Sequence, residues 1–335
     1  MEFGPVAPVD ARGAVLAHSV ALPSGKLRKG RVLTAEDVAA LAAAGVARVT
    51  VARLGPGDID EDAAAAALAR ALVPDPEAVG LRLARAHTGR VNIHAEGIGL
   101  ARLDVDRLHA VNAVSELISL ATVAPWTRMA PGGLVATMKI IPYGIDAGLV
   151  AQAEAAGRGA LALAPIRIGE AALIVTTHAA GSTEETGKGH AAIEARLEAL
   201  GMRLAGVTQV AHDVDALAAA IAAAQAGMVL VLTASATSDP RDVGPEALRR
   251  AGGRVTRVGM PVDPGNLLFY GALADGRPLI GLPGCARSPA RNGADRVLER
   301  LAAGLDLTPD EVAAMGVGGL LKEPPGRRQP RESSR

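Results

Sequence analysis

The chain has 335 residues, a length that suits about two domains, and with 49% apolar and 21% charged residues it can bury sizeable cores. Lys plus Arg equals Asp plus Glu at 35 each, which removes the basic excess of a nucleic-acid binder, and no apolar run of about 18 residues reaches membrane length. Five aromatics leave the cores to Ala, Val, Leu and Ile, while the single Cys285 excludes an internal disulfide and suits a reducing cytoplasm, the expected location of a chain in which no basic start leads into an apolar stretch.

Residues 1–75 read as a small α+β module. GAVLAHSVAL (13–22) is strand-like, PSGKLRKG (23–30) is a hairpin-like turn, and Thr34 with Asp37 forms a capping pattern that starts a helix closed by Gly45. ARVTVARL (47–54) alternates as a strand, residues 60–72 form an Ala-rich helix with acids in its first turn, and PDPE (74–77) breaks the chain. A second α+β module over 78–165 carries VNIHAEG (91–97), a helix over 104–120, a strand-like GLVATMKIIPYGI (133–145) and a helix near 147–156.

The pattern is strongest over 166–305. AALIVTT (171–177) is a buried strand, a Gly/Ser/Thr loop spans 181–189, and a helix covers 191–200. RLAGVTQVA (203–211), MVLVLTA (228–234) and GRVTRVGM (253–260) are strands, separated by helices over 213–226 and 245–251. Such alternation predicts a doubly wound, mostly parallel sheet with helices on both faces and ligands beyond the strand carboxyl ends. Those ends are Thr176 and Thr177, His212 and Asp213, and the stretch 233–238. The charged, Pro-rich residues 322–335 read as a disordered tail.

Two runs could hold a ligand. In VLTASATSDPRDVGPEALRRAGGRV (231–255) a buried strand leads into small and polar residues, with Pro245 expected at the first position of a helix. Exposed N–H groups and hydroxyls beside a helix N-terminus suit a phosphate, although a plain loop capped by Asp242 reads equally well. In GMPVDPGNLLFYGALADGRPLIGLPGCARSP (259–289) two Pro-Gly turns precede Asn266 and Arg287 with Ser288, and Gly265 and Gly284 allow close backbone approach; as structure these are ordinary turns. HAAGSTEETGKGH (178–190) lacks the order of a P-loop, the seven histidines show no metal-ligand spacing, and no serine-hydrolase motif occurs.

The third segment resembles the molybdopterin-binding domain shared by molybdopterin adenylyltransferases and molybdenumtransferases. PRDVGPEALRRAGG (240–253) is similar to its arginine-aspartate-x-x-proline-glutamate segment, LIVTTHA (173–179) to the strand that ends in TTGDE, and AHDVDALAAAI (211–221) to a helix entry carrying an aspartate. PGNLLFYG and GLPGCARSP are similar to the PGK and GLPGNP turns of the molybdenumtransferase, and residues 28–53 resemble its segment before the binding domain. His178 and Ala179 stand where the family has Gly and Asp, and Asn266 and Cys285 replace a lysine and an asparagine.

The resemblance implies binding of molybdopterin or a molybdenum cofactor intermediate during cofactor biosynthesis or handover. The implied ligand set is Thr176, Thr177, Thr233, Ser235, Thr237, Ser238, Gly265, Asn266, Gly284, Arg287 and Ser288, with Asp242 and Asp213 as catalytic or Mg²⁺-holding carboxylates. The alternatives it implies are Mg²⁺-dependent molybdenum insertion or adenylyl transfer, and a non-catalytic module that recruits a cofactor cytidylyltransferase or other molybdenum cofactor enzymes; assembly as a homo-oligomer is a further implication.

Overall fold

The computed structural model describes residues 1–178 and 183–321, with 183–188 as helical backbone alone. The loop expected at 181–189 therefore lies outside the described residues in its first two positions, and the tail expected at 322–335 lies wholly outside them. By internal contacts the chain divides into two compact units, Met1–Pro165 and Ile166–Arg335. Among the described residues no helix is long and apolar enough to cross a membrane.

The first unit holds two apolar clusters, one around Leu16, Leu33, Leu41 and Val51 and a larger one around Leu68, Val91, Val111, Met138 and Val150. In the first, Val49–Arg53 is the centre of an antiparallel sheet between Glu2–Val6 and Val15–Leu16. The helix Ala35–Ala43 starts with the expected capping box: Asp37 N–H donates to Thr34 Oγ1 and Thr34 N–H donates to Asp37 Oδ2. The Arg31 guanidinium, donating to the same Oδ2, and the Thr34 N–H hold the Asp37 carboxyl below the usual carboxylate range. The expected turn 23–30 narrows to Pro23 and Ser24, because Gly25–Leu27 returns as a strand against Val20–Leu22.

Around the larger cluster the helices Glu61–Leu72, Val105–Val114 and Ala147–Gly157 pack with a four-stranded antiparallel sheet, in the order Ile118–Thr122, Leu134–Ile140, Arg90–Ala95 and Leu81–Leu83. The helix expected over 104–120 stops at Val114. Ser115 turns extended, Ile118 and Leu120 alternate inward as a strand, and the Asn112 side chain donates to Leu120 O and accepts from Leu120 N–H. Strands at Gly99–Leu103 and Leu161–Pro165, absent from the sequence reading, pair with each other.

The second unit is an α/β layer structure whose elements, in chain order, are β1 (Glu170–Thr177), α1 (Thr183–Glu198), β2 (Arg203–Ala211), α2 (Val214–Ala223), β3 (Met228–Leu232), α3 (Val243–Arg250), β4 (Arg254–Val258), β5 (Phe269–Ala272), β6 (Pro278–Leu282), a 3₁₀ turn (Gly284–Arg287), α4 (Gly293–Ala302) and α5 (Pro309–Ala313). The sheet order is β2-β1-β3-β6-β5-β4. Its first four strands are parallel, and β5 and β4 are antiparallel at one edge. Both faces are covered, which is why β3 is a continuous apolar run and not an alternating one. Leu173, Leu230 and Ile280 pack on one side with Ile193, Leu197 and Leu298, while Ile174, Val229 and Val231 pack on the other with Leu217, Ile221 and Leu248. Successive aromatics of β5 divide likewise, Tyr270 to the first side and Phe269 to the second, where the ring fills space that a side chain on Gly281 would need.

Two helix starts differ from expectation. The first helix begins at Thr183 and so takes up most of the stretch assigned to a loop, and α3 begins at Val243, which puts Pro245 at the third helical position. That position still belongs to the first turn, where a missing N–H costs nothing.

One buried guanidinium ties this unit together. Arg196, on α1 and 8% exposed, donates from Nε to Asp295 Oδ1 at 2.8 Å, from Nη1 to the carbonyls of Ala192 and Ala286, and from Nη2 to those of Ser288 and Ala290. All five of its N–H donors are used. The other oxygen of Asp295 accepts from the N–H of Asn292, which is 0% exposed and caps α4. Losing one partner of such a buried pair strands the other charge, so Arg196→Met should lower the unfolding free energy by about 3–5 kcal/mol. Arg196→Lys should also destabilise, since an ammonium offers three donors for five acceptors. Urea denaturation of the full chain, followed by circular dichroism, reads both; unchanged stability would remove the network from its assigned role.

Candidate functional site

The carboxyl edge of the parallel strands gathers most of the ligand residues read from the sequence. β1 ends in Thr176 and Thr177, β2 leads into His212 and Asp213, β3 leads into the loop 233–238, and β6 leads into the 3₁₀ turn with Gly284 and Arg287. Because β5 runs antiparallel to β6, with Phe269 opposite Gly281, the segment holding Gly265 and Asn266 enters the sheet at this same edge.

A chain of hydrogen bonds joins the first three strand ends. Thr176 Oγ1, buried at 2% exposure, accepts from Ala234 N–H at 2.9 Å and lies 2.8 Å from His212 Nδ1. A neutral imidazole donates through one ring nitrogen and accepts through the other, and a hydroxyl can play either part. His212 Nε2 lies 2.9 Å from Ser235 Oγ, so the neutral ring bridges the two hydroxyls. The neutral form is favoured because burial, and then the neighbouring His178, lower the His212 pKa against a smaller opposing effect of Asp242. The His178 ring stands edge-on to it at 4.8 Å. His212 N–H also donates to Thr177 O. The sequence reading placed His212 at a strand end but weighed it only as a metal ligand; its position between β2 and the helix-capping Asp213 was the available signal.

On the other side of the loop, Thr233 Oγ1 donates to Ser235 O, and Arg287 Nη2 donates to Thr233 O at 3.1 Å. Arg287 is half-buried, its stem lies against Gly189 of α1, where a Cβ would come within 3.2 Å, and it makes no ion pair among the described residues. Thr237 is buried, whereas Ser235 and Ser238 are exposed. Gly284 is exposed near the Arg287 guanidinium, and Ser288 gives its carbonyl to Arg196. Burial pushes the Cys285 thiol up, away from nucleophilic thiolate character.

Other expected site residues are occupied by structural tasks. Asp213 caps α2 by accepting from Asp215 and Ala216 N–H, the Ala216 bond being the leading cause of its lowered pKa. Asp242 Oδ2 accepts from Ser238 and Asp239 N–H, which hold the carboxyl below its usual range and tie the turn 238–242 closed. Among the described residues no three His, Cys, Asp or Glu side chains stand close enough to hold a metal ion. Gly265, with φ +125, sits against the start of α4, where a Cβ would strike Gly293 N at 2.3 Å. Its requirement for glycine is thereby met by packing. Asn266 is exposed, and its carbonyl accepts from Met260 N–H.

The depressed pKa of His212 fixes a pH dependence. A folded-state pKa below the unfolded value of 6.5 means that the unfolded chain binds the proton first. The associated stability is therefore present above about pH 6.5 and is lost as pH falls towards the folded pKa, where the loss levels off. The His212 ring resonance should titrate with a midpoint below 6.5, and His212→Gln should flatten the stability profile below neutrality; a midpoint at or above 6.5 would contradict the neutral bridge.

Comparison with known proteins finds a likeness in each unit. Residues 170–303 match the family model described as "Probable molybdopterin binding domain", and residues 5–53 match a domain of unknown function (DUF8806). Among solved structures the chain is 15% identical to the molybdopterin biosynthesis moea protein from Pyrococcus horikosii, covering 90% of this chain and 76% of that one with a TM-score of 0.32. It is 14% identical to molybdenum cofactor biosynthesis protein B, covering 42% and 96% with a TM-score of 0.30. A molybdenum cofactor biosynthesis protein from Pyrococcus furiosus is also 14% identical, with coverage of 84% and 56% and a TM-score of 0.21. No curated protein matches the chain. Over residues 170–303 the doubly wound unit that carries the Thr176, His212 and Arg287 edge is thus similar to the family described as a probable molybdopterin binding domain.

Proposed function

We propose that the second unit binds molybdopterin or a molybdenum cofactor intermediate at its carboxyl edge, in biosynthesis or handover of that cofactor. The observation that carries this reading is Arg287. It is a half-buried cation at the strand ends, bonded to the Thr233 carbonyl of the loop and without an ion pair among the described residues. An arginine with guanidinium donors to spare beside a loop of hydroxyls and backbone N–H groups suits the phosphate of a pterin better than a neutral molecule. Thr233, Ser235, Thr237 and Ser238 line the loop side, Thr176 and Thr177 shape the floor through His212, and Gly284, Ser288, Gly265 and Asn266 supply the opposite wall. Asp242 contributes by holding the loop turn and Asp213 by fixing α2, so neither carboxylate needs to touch the ligand.

Little ring stacking is available, because the two aromatics of this unit, Phe269 and Tyr270, are buried in the opposite cores. The pterin is therefore held by hydrogen bonds to loop backbone, and affinity concentrates at the phosphate. Calorimetric titration of the full chain with molybdopterin should show binding that Arg287→Ala weakens at least tenfold, a loss of about 1.4 kcal/mol or more. A phosphate placed beside His212 also favours its protonated form, so ligand should move the ring titration upward. Absence of binding, or full affinity in Arg287→Ala, would sink the reading.

A further inference from the structure

The first unit contains a cavity of about 310 Å³ at the start of the helix Glu61–Leu72, lined by Lys29, Glu61, Arg90, Lys139 and Tyr143. Its size falls at the lower end of small-molecule sites. The arrangement of charge within it is unusual for a surface with no task. Lys139 and Arg90 are direct cross-strand partners in the antiparallel ladder between Leu134–Ile140 and Arg90–Ala95. Their side chains share one face of the sheet, and like charges in that relation repel. Lys29 adds a third cation from the segment after the Val20–Leu22 hairpin. Against these three the lining offers one carboxylate, Glu61, whose Oε2 is 3.4 Å from Lys139 Nζ. Neither Lys29 nor Arg90 makes an ion pair among the described residues.

The backbone around the cations is built to keep the space open. Thr88 and Gly89, with φ of +51 and +69, form a two-residue hairpin turn of the primed type, closed by mutual bonds between His87 and Arg90. A positive φ is uncommon for a β-branched residue such as Thr88. Its carbonyl accepts from Lys139 Nζ at 2.5 Å, so the turn conformation aims a backbone oxygen at the cation. At Gly89 a Cβ would lie 2.6 Å from Glu61 Oε2 and 2.8 Å from both Lys139 Nζ and Ile140 O. Any side chain there would displace the charged pair and fill the cradle. Gly89 N–H meanwhile donates to Asp62 Oδ1, which fixes the turn on the helix start.

The remaining wall separates two kinds of contact. Tyr143 OH donates to Ala17 O, holding the phenol in place beside Glu61, and Ile141 leaves an exposed apolar side chain on the rim. Burial raises the Glu61 pKa against the attraction of Lys139, and the Tyr143 hydroxyl is raised as well, by burial and then by Glu61. An anion entering here would find two uncommitted cations, a third shared with Glu61, and a carboxylate able to accept from a hydroxyl or amine of the same molecule.

We propose that this cavity is a binding site for a small phosphate-bearing molecule, gripped by Lys29, Arg90 and Lys139 and oriented by Glu61. Arg90 supplies the planar fork that takes two phosphate oxygens at once, and the lysines act as point charges. The site belongs to the first unit and stands independently of the reading of the second. The bound anion relieves the repulsion between Arg90 and Lys139, which the free protein carries as a local cost.

The test uses the full chain with inorganic phosphate and with glycerol 3-phosphate as probes, at ionic strength matched with chloride. Either probe should raise the thermal unfolding midpoint more than chloride does, and Arg90→Gln and Lys29→Gln should each weaken binding at least tenfold. Without phosphate, Arg90→Gln should unfold at the same temperature as the parent or higher, since the facing like charge is gone; this separates a lost ligand contact from a damaged fold. Tighter binding of glycerol 3-phosphate that Glu61→Gln abolishes would identify a phosphate monoester, and equal binding of the two probes would identify free phosphate. Stabilisation no greater than that from chloride, or parental affinity in both Arg90→Gln and Lys29→Gln, would overturn the proposal. So would phosphate binding lost only in Arg287→Ala, which would place it in the second unit.

Discussion

The carboxyl edge of the second unit depends on one buried arginine. The turn after β6 has to carry Arg287 over the end of the sheet with three of its carbonyls, those of Ala286, Ser288 and Ala290, turned towards the protein, and carbonyls turned inward must find donors or cost about 1–3 kcal/mol each. Arg196 supplies those donors from a neighbouring helix, and Asp295 neutralises the charge it brings. The same aspartate closes the capping box of α4. Helix, turn and helix start are therefore fixed by a single network, and the conformation of the turn that carries Arg287 follows from it. Replacing the network by apolar groups of equal volume would preserve the core but leave the turn carbonyls unanswered.

A second bonded chain, through Thr176, His212, Ser235 and Ala234, does for the loop after β3 what Arg196 does for the turn after β6. Here the binding group is a neutral imidazole, not a paired ion. Two neutral contacts add no charge to the loop, so His212 brings no further positive charge to the strand ends where Arg287 stands. Protonation of His212 would change that balance and would at the same time remove the one ring lone pair that accepts a hydrogen bond in this chain of contacts.

What could be read in advance divides by range along the chain. The capping box of Thr34 and Asp37, the acidic first turn of the helix Glu61–Leu72 and the apolar run of β3 are local, set by residues within a turn or a strand, and the sequence shows them directly. The helix over 104–120 was overextended because apolar residues at 117, 118 and 120 fit either period, and only pairing with Leu134–Ile140 selects the strand. The site was legible as a set of strand ends and loops. Its internal wiring was not, because the bonds of Arg196 to the β6 turn span some 90 residues or more, and those of His212 to its partners span 36 and 23. Asp242 and Asp213 drew attention by their position in a motif, yet their carboxylates answer to backbone N–H groups a few residues away. The cross-strand register that brings Arg90 opposite Lys139 is likewise invisible until the sheet is formed.

The net charge of zero conceals these arrangements because it sums over cations in very different circumstances. Arg196 is cancelled in place by a buried aspartate, and exposed pairs such as Arg82 with Glu96 cancel at the surface for little energy. Arg287, and the trio of Lys29, Arg90 and Lys139, are different in kind. The first is half-buried at a sheet edge and makes no ion pair among the described residues, and the others outnumber the one carboxylate in their cavity three to one. A fold that balances its charge overall can still gather cations without described ion pairs at open, shaped surfaces, and such places suit the binding of anions. A single half-buried guanidinium at one place, and three cations around one cavity at the other, are each of a size that suits a small anion.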